Sequence, residues 1–263
     1  MTPTLVALDV DGTIVHFDGA VAPVVRQALD QVRAAGVHIV LATGRSVAAV
    51  MPVVEDLGLV DGYVVCSNGA VTCQIDPAST DGYRLLDVVT FDPGPAVRAL
   101  TVEIPDALIA VEDLTRGSRV SAPFPPDELA GEHVVVGFDD LVSRPATRVV
   151  IRDPGSTPEV FHDIVQRVGL HEVSYAVGWS AWLDLTPAGV SKASALENIR
   201  QRLGVEPYAT VAVGDGGNDV EMLRWAARGV AMGHAAANVR EAADEVTATI
   251  DDDGLVPVLR SLL

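Results

Sequence analysis

Four short apolar runs stand out along the chain, each stopped by a polar residue or glycine. Leu5-Val6-Ala7-Leu8 ends at Asp9, Val37-His38-Ile39-Val40-Leu41-Ala42 ends at Thr43, residues 63–66 end at Ser67, and Thr210-Val211-Ala212-Val213 runs into Gly214-Asp215. Continuous apolar runs of this length, bounded by turn residues, predict strands buried on both faces. Between them the period changes to that of a helix. Val21, Val24, Val25, Ala28, Leu29 and Val32 mark one helical face, with Gly36 as a stop just past its end. A second helical segment covers 46–57 and contains Pro52, a residue able to kink it. Beyond residue 190, Ala195, Leu196, Ile199 and Leu203 share a face, and helices over 220–227 and 236–243 flank a strand over 230–232 before a terminal helix ending near Leu263.

From Arg84 to Thr186 the rhythm is different. Short alternating segments at 108–111, 134–137, 149–151 and 175–177 surround helical stretches at 95–103 and 158–168, punctuated by Asp92-Pro93-Gly94-Pro95 and Asp153-Pro154-Gly155. The expected fold is therefore α/β. A doubly wound, parallel, Rossmann-like core is split over 1–83 and 187–263, and an α+β cap is inserted at 84–186 with hinges near Arg84 and Pro187.

Composition narrows the class. A chain of 263 residues with 49% hydrophobic residues and 5% aromatics can fill a core and a smaller module by aliphatic packing. A net charge of -18 opposes a broad nucleic-acid or anionic-lipid surface, so neither a nucleic acid nor a membrane is an expected partner. The apolar runs fall well short of the roughly 20 residues a membrane-spanning helix needs. Met1-Thr2-Pro3-Thr4 carries no basic region, and Cys66 and Cys73 form no metal or redox spacing, which together lead to the expectation of a reducing cytoplasm. The histidines show no ligand spacing, so zinc is not expected.

The chemistry sits where strands meet solvent, as open α/β sheets arrange it. Asp9-Val10-Asp11-Gly12-Thr13 places two carboxylates at the first strand end, where Gly12 turns the chain so that they diverge around one site. One carboxylate can attack phosphorus while its neighbour manages a proton. Ala42-Thr43-Gly44-Arg45 closes the second strand, Lys192 opens the helix after Pro187-Ala188-Gly189-Val190-Ser191, and Gly214-Asp215-Gly216-Gly217-Asn218-Asp219 follows a later strand. In this order the set resembles the haloacid dehalogenase superfamily of phosphohydrolases, and its spacing is similar to the Cof-type branch with a large cap. Ser67-Asn68-Gly69-Ala70 also looks like a Cof-type signature, and reads equally as a turn.

The resemblance implies a phosphatase that uses magnesium held by Asp9, Asp215 and the Asp11 carbonyl, with Asp219 close by. It implies that Asp9 is the nucleophile and Asp11 the acid and then the base. Thr43, Gly44, Arg45, Lys192 and Asn218 are the implied phosphate contacts. The substrate class would be small phosphate monoesters, either sugar phosphates or phosphorylated cofactors. A sugar phosphomutase and a non-catalytic phosphometabolite-binding regulator are the alternatives, and the sequence is silent on oligomeric state.

Substrate choice is expected in the cap. There Trp179 and Trp182 can stack on a ring or pack, and Arg116 and Arg119 can meet an anionic tail or stay solvated. His234, in Met232-Gly233-His234-Ala235, stands where relatives often carry Asn; it is either a titratable group at the site rim or a loop residue without a role.

Overall fold

The computed structural model describes residues 5–114, 117–126, 128–129, 131–168, 170, 173–177 and 181–263. The first part comprises β1 (Leu5–Leu8), α1 (Pro23–Ala34), β2 (His38–Ala42), α2 (Val47–Asp56), β3 (Tyr63–Cys66), β4 (Val71–Ile75) and β5 (Tyr83–Val88). The middle holds α3 (Gly94–Glu103), β6 (Leu108–Asp113), β7 (Gly117–Val120), β8 (Glu132–Val135), α4 (Phe138–Leu141), β9 (Val149–Arg152), α5 (Pro158–Val168), β10 (Val173–Val177) and β11 (Trp182–Pro187). The chain closes with α6 (Lys192–Leu203), β12 (Thr210–Gly214), α7 (Val220–Trp225), β13 (Arg228–Ala231), α8 (Ala237–Ala242), β14 (Glu245–Val246) and α9 (Leu255–Arg260).

Two sheets organise these elements. The larger has the order β14-β13-β12-β1-β2-β3-β4-β5, parallel from β14 to β3. Strands leave β1 in both directions, so the carboxyl ends of β1, β2 and β12 meet at the point where strand order reverses, where such sheets bind ligands. Side chains alternate between faces. Val6, Leu8, Ile39, Leu41 and Val213 pack on α1, α2 and α9, whereas Leu5, Ala7, Val40, Ala42 and Ala212 pack on α6, α7 and α8. This double burial is why the runs are continuously apolar.

The far edge departs from the expected all-parallel core. β3–β4 and β4–β5 are antiparallel, because only the short turn 67–70 separates β3 from β4 and no crossover fits in it. Arg84, the expected hinge, lies inside β5 opposite Gln74, so the larger sheet extends to Val88. Neither β4 nor β5 reads as a strand at sequence level.

The second sheet runs β10-β11-β9-β6-β7-β8, antiparallel except for β7–β8. Val97 and Leu100 of α3 and Phe161 of α5 cover one face through Val111, Ile151, Leu183 and Leu185. The expected helices 95–103 and 158–168 thus correspond to α3 and α5. β11 is a strand the sequence pattern did not indicate, and it carries the chain back to α6.

Candidate active site

Asp9 stands one residue beyond β1, and its N–H donates to the Val213 carbonyl at 2.9 Å, which fixes it against the end of β12. Gly12 then turns with φ of 80°, and a Cβ there would lie 2.4 Å from Asp215 Oδ2. Only glycine combines that backbone with room for the Asp215 carboxylate. Thr13 Oγ1 donates to Asp215 Oδ1 at 3.5 Å. Lys192 is the first residue of α6, whose start is held by a capping box between Ser191 and Ser194. Its Nζ is 2.6 Å from both Asp9 Oδ1 and Asp219 Oδ1, and the side chain is 0% exposed. Asp219 Oδ2 in turn accepts from the Asp215 N–H at 3.0 Å and the Gly216 N–H at 2.8 Å.

Two buried acids and a half-buried third around one ammonium leave negative charge in excess. Asp9, Asp215 and Asp219 each offer an oxygen within 4.8 Å of the others. Burial, reinforced by Asp219, holds the Asp9 carboxyl well above the usual range against the pull of Lys192. Burial and Asp219 likewise push Asp215 up to about 6, opposed by His234 and Lys192. Burial alone would lower Lys192, but Asp219 and Asp9 together raise it above the ordinary ammonium range. A hard divalent cation suits this oxygen-only donor set and would relieve the repulsion. Both Asp219 oxygens are taken by Lys192 and backbone amides, which leaves Asp9 Oδ2 and Asp215 as the freer donors.

The second strand end lies beside them. Thr43 is 1% exposed; its Oγ1 accepts from the Arg45 N–H at 3.0 Å and its carbonyl accepts from the Asn68 N–H at 3.1 Å. A Cβ on Gly44 would lie 3.2 Å from Asn68 Oδ1 and 3.6 Å from Asn218 Nδ2, so these residues adjoin. Arg45 is engaged elsewhere: its Nε donates to Asp11 Oδ2 at 2.9 Å and its Nη2 to Asp11 Oδ1. The Asp11 side chain is 53% exposed, outside the buried acid cluster. His234 Nδ1 accepts from the Ile250 N–H at 3.3 Å, which puts its proton on Nε2, 3.4 Å from Asp215 Oδ2.

A cavity of about 680 Å³ opens over Lys192 between the two sheets, lined also by Asn68, Asn218, Asp184, Tyr175, Asp163 and Glu221. Of the cap residues singled out in the sequence, the two described ones do not line it. Trp182 packs edge-on against Phe124 with centroids 6.4 Å apart. Arg119 is buried rather than solvated, bound to Asp113 and to the carbonyls of Asp140 and Leu141. Trp179 and Arg116 lie outside the described residues. Sequence reasoning missed Asp184 and Glu112, which meet the Ser67-Asn68 turn from the second sheet, and Arg148, which holds Asp184. The Ser-Asn-Gly-Ala segment was the one signal pointing there.

With this geometry in view, the chain can be placed among known proteins. Residues 6–82 and 132–259 match the family model of haloacid dehalogenase-like hydrolases. The chain is 28% identical to the phosphoglycolate phosphatase of Natronomonas pharaonis, covering 96% of this chain and 95% of that protein. It is 26% identical to the pyridoxal phosphate phosphatase YbhA of Escherichia coli, over 100% of both. Among solved structures, the phosphatase BT1666 of Bacteroides thetaiotaomicron superposes with a TM-score of 0.79 at 28% identity, covering 99% of this chain and 95% of that one. The protein belongs to the haloacid dehalogenase-like hydrolases. Within that family it is a phosphatase acting on small phosphorylated substrates. No helix among the described residues is long and apolar enough to cross a membrane.

Proposed function

We propose that the protein is a magnesium-dependent phosphomonoesterase of the cytoplasm that works through an aspartyl phosphate on Asp9. The observation that carries this reading is the Lys192 ammonium gripped at 2.6 Å by Asp9 and Asp219, with Asp215 completing a three-carboxylate cluster. Asp9, Asp215 and the Asp11 carbonyl would hold the cation, with Asp219 supporting them. The bound metal supplies charge neutralisation that lets a phosphate dianion approach a carboxylate.

Asp9 Oδ2, which has no hydrogen-bond partner among the described residues, forms the bond to phosphorus as the ester P–O bond breaks. Lys192, Thr43 and the Gly44 amide meet the transferring oxygens, with Asn218 at the rim. Arg45 binds Asp11 in the resting site; an arriving phosphate competes for that guanidinium and frees Asp11 to give the leaving oxygen its proton. Asp11 then takes a proton from water as the water oxygen bonds to phosphorus and Asp9 is released.

The unit from α3 to β11 is the proposed cap, over a core formed by the rest. The cavity wall is acidic on both sides: Asp163 of α5 lines it from the cap and Glu221 of α7 from the core, and neither has an ion-pair partner among the described residues. This wall supports sugar or cofactor esters with hydroxyl or amine groups over esters bearing a second anion. The test is inorganic phosphate release from a panel of esters. Conversion of a sugar phosphate only into its positional isomer would make the protein a mutase, and tight binding without turnover a regulator.

A further inference from the structure

Ser67 and Asn68 are consecutive non-glycine residues with left-handed backbones, at φ of 49° and 53°. Both are buried, and they follow β3 where the two sheets approach. Such paired strain persists only where the surroundings impose it. Here they do so from four sides.

The Ser67 and Asn68 N–H groups donate to the carbonyls of Arg45 and Thr43 at 2.8 and 3.1 Å, bracing the loop after β2. Ser67 Oγ lies 2.8 and 2.9 Å from the two carboxylate oxygens of Glu112 on β6. Asn68 Nδ2 donates to Asp184 Oδ2 of β11 at 3.3 Å, while Asn68 Oδ1 accepts from Asn218 Nδ2 at 2.8 Å. Asp184 is itself held by Arg148 Nε at 2.8 Å. Gly69 presses on the residue before Lys192: a Cβ there would sit 2.2 Å from the Ser191 carbonyl oxygen.

One amide therefore bridges the wall that faces the leaving group and the loop that faces the phosphate, and it lines the cavity between them. We propose that Asn68 is a positioning residue for phosphoryl transfer: it ties β11 of the second sheet to the Asn218 loop, so that binding of the leaving group sets the phosphate loop. The inference rests on the phosphatase reading above. An interaction of this kind converts binding energy from a remote part of the substrate into turnover, so its loss lowers kcat for substrates that use that part.

Asn68→Gly removes the amide while accepting the left-handed backbone, so the fold is retained. Wild type and Asn68→Gly are compared on p-nitrophenyl phosphate, which offers the wall no hydroxyls, and on whichever sugar or cofactor ester the wild type turns over fastest. The expected result is an about tenfold or greater fall in kcat for the natural-type ester, with p-nitrophenyl phosphate changed less than about threefold. Asn68→Asp, which sets a carboxylate against Asp184, should lose at least as much. Equal proportional losses on both esters would reduce Asn68 to a structural residue, and wild-type kinetics on both would remove the bridge altogether. Absence of phosphate release by the wild type from every ester would overturn the phosphatase reading, and this inference with it.

Discussion

The ammonium of Lys192 lies 2.6 Å from Asp9 Oδ1, fully buried, at the start of a helix that begins 183 residues after that aspartate. Sheet topology brings them together: Asp9 ends the central strand, and α6 packs across it through Ala195, Leu196 and Ile199. A cation so placed counters the charge of Asp9 and, in the proposed mechanism, of the transferring oxygens as well.

Replacing Lys192 by Ala strands buried carboxylates without their counter-ion. Removing one partner of a buried pair costs about 3–5 kcal/mol, and losing a preorganised charge at the reaction centre costs roughly 10²–10³ in kcat. Denaturant unfolding and phosphate release should both register the loss, and magnesium should recover part of the stability but not the rate.

The raised carboxyls of Asp9 and Asp215 couple metal to pH. A carboxyl raised on folding stabilises the native state most below its unfolded value, near 3.8, and that contribution fades as pH climbs through about 6 for Asp215. The metal-free protein should therefore lose stability between pH 4 and 7, on the scale of about 1.4 kcal/mol per pKa unit. Magnesium, in the proposed site, would bind the ionised forms, so its effect on the melting temperature should be large at pH 7.5 and small at pH 5. A magnesium shift independent of pH would contradict this coupling.

How much of this was legible in the sequence depends on how local each signal is. Asp9, Thr43 and Asp215 announce themselves because each ends an apolar run, and double burial leaves such runs unbroken. β5 was hidden because its residues are half-exposed and it sits at a sheet edge, so no apolar run marks it. Asp184 and Glu112 were hidden for another reason. Their meaning comes from Asn68 and Ser67, which are 116 and 45 residues away in the chain and meet them only in the fold.

Arg45 holds Asp11 through two N–H donors, an ion pair that an arriving phosphate must open in the proposed mechanism. Arg45→Ala removes a phosphate-binding guanidinium and should raise KM for the ester in steady-state phosphate release. An unchanged KM would take Arg45 out of phosphate binding.

The acidic wall predicts a charge preference. Phosphoglycolate, which carries a second anion, should be turned over less efficiently than polyhydroxyl esters, and Asp163→Asn with Glu221→Gln should narrow the gap by about two- to fivefold. Added salt should narrow it too, since the charges are exposed.

The most direct test of the central claim is inorganic phosphate release from a panel of sugar, nucleotide and cofactor monoesters, with magnesium or with EDTA, beside Asp9→Asn. Release that requires magnesium and vanishes in a folded Asp9→Asn protein is the predicted result; sustained release by that variant would contradict Asp9 as the nucleophile and the aspartyl-phosphate route with it.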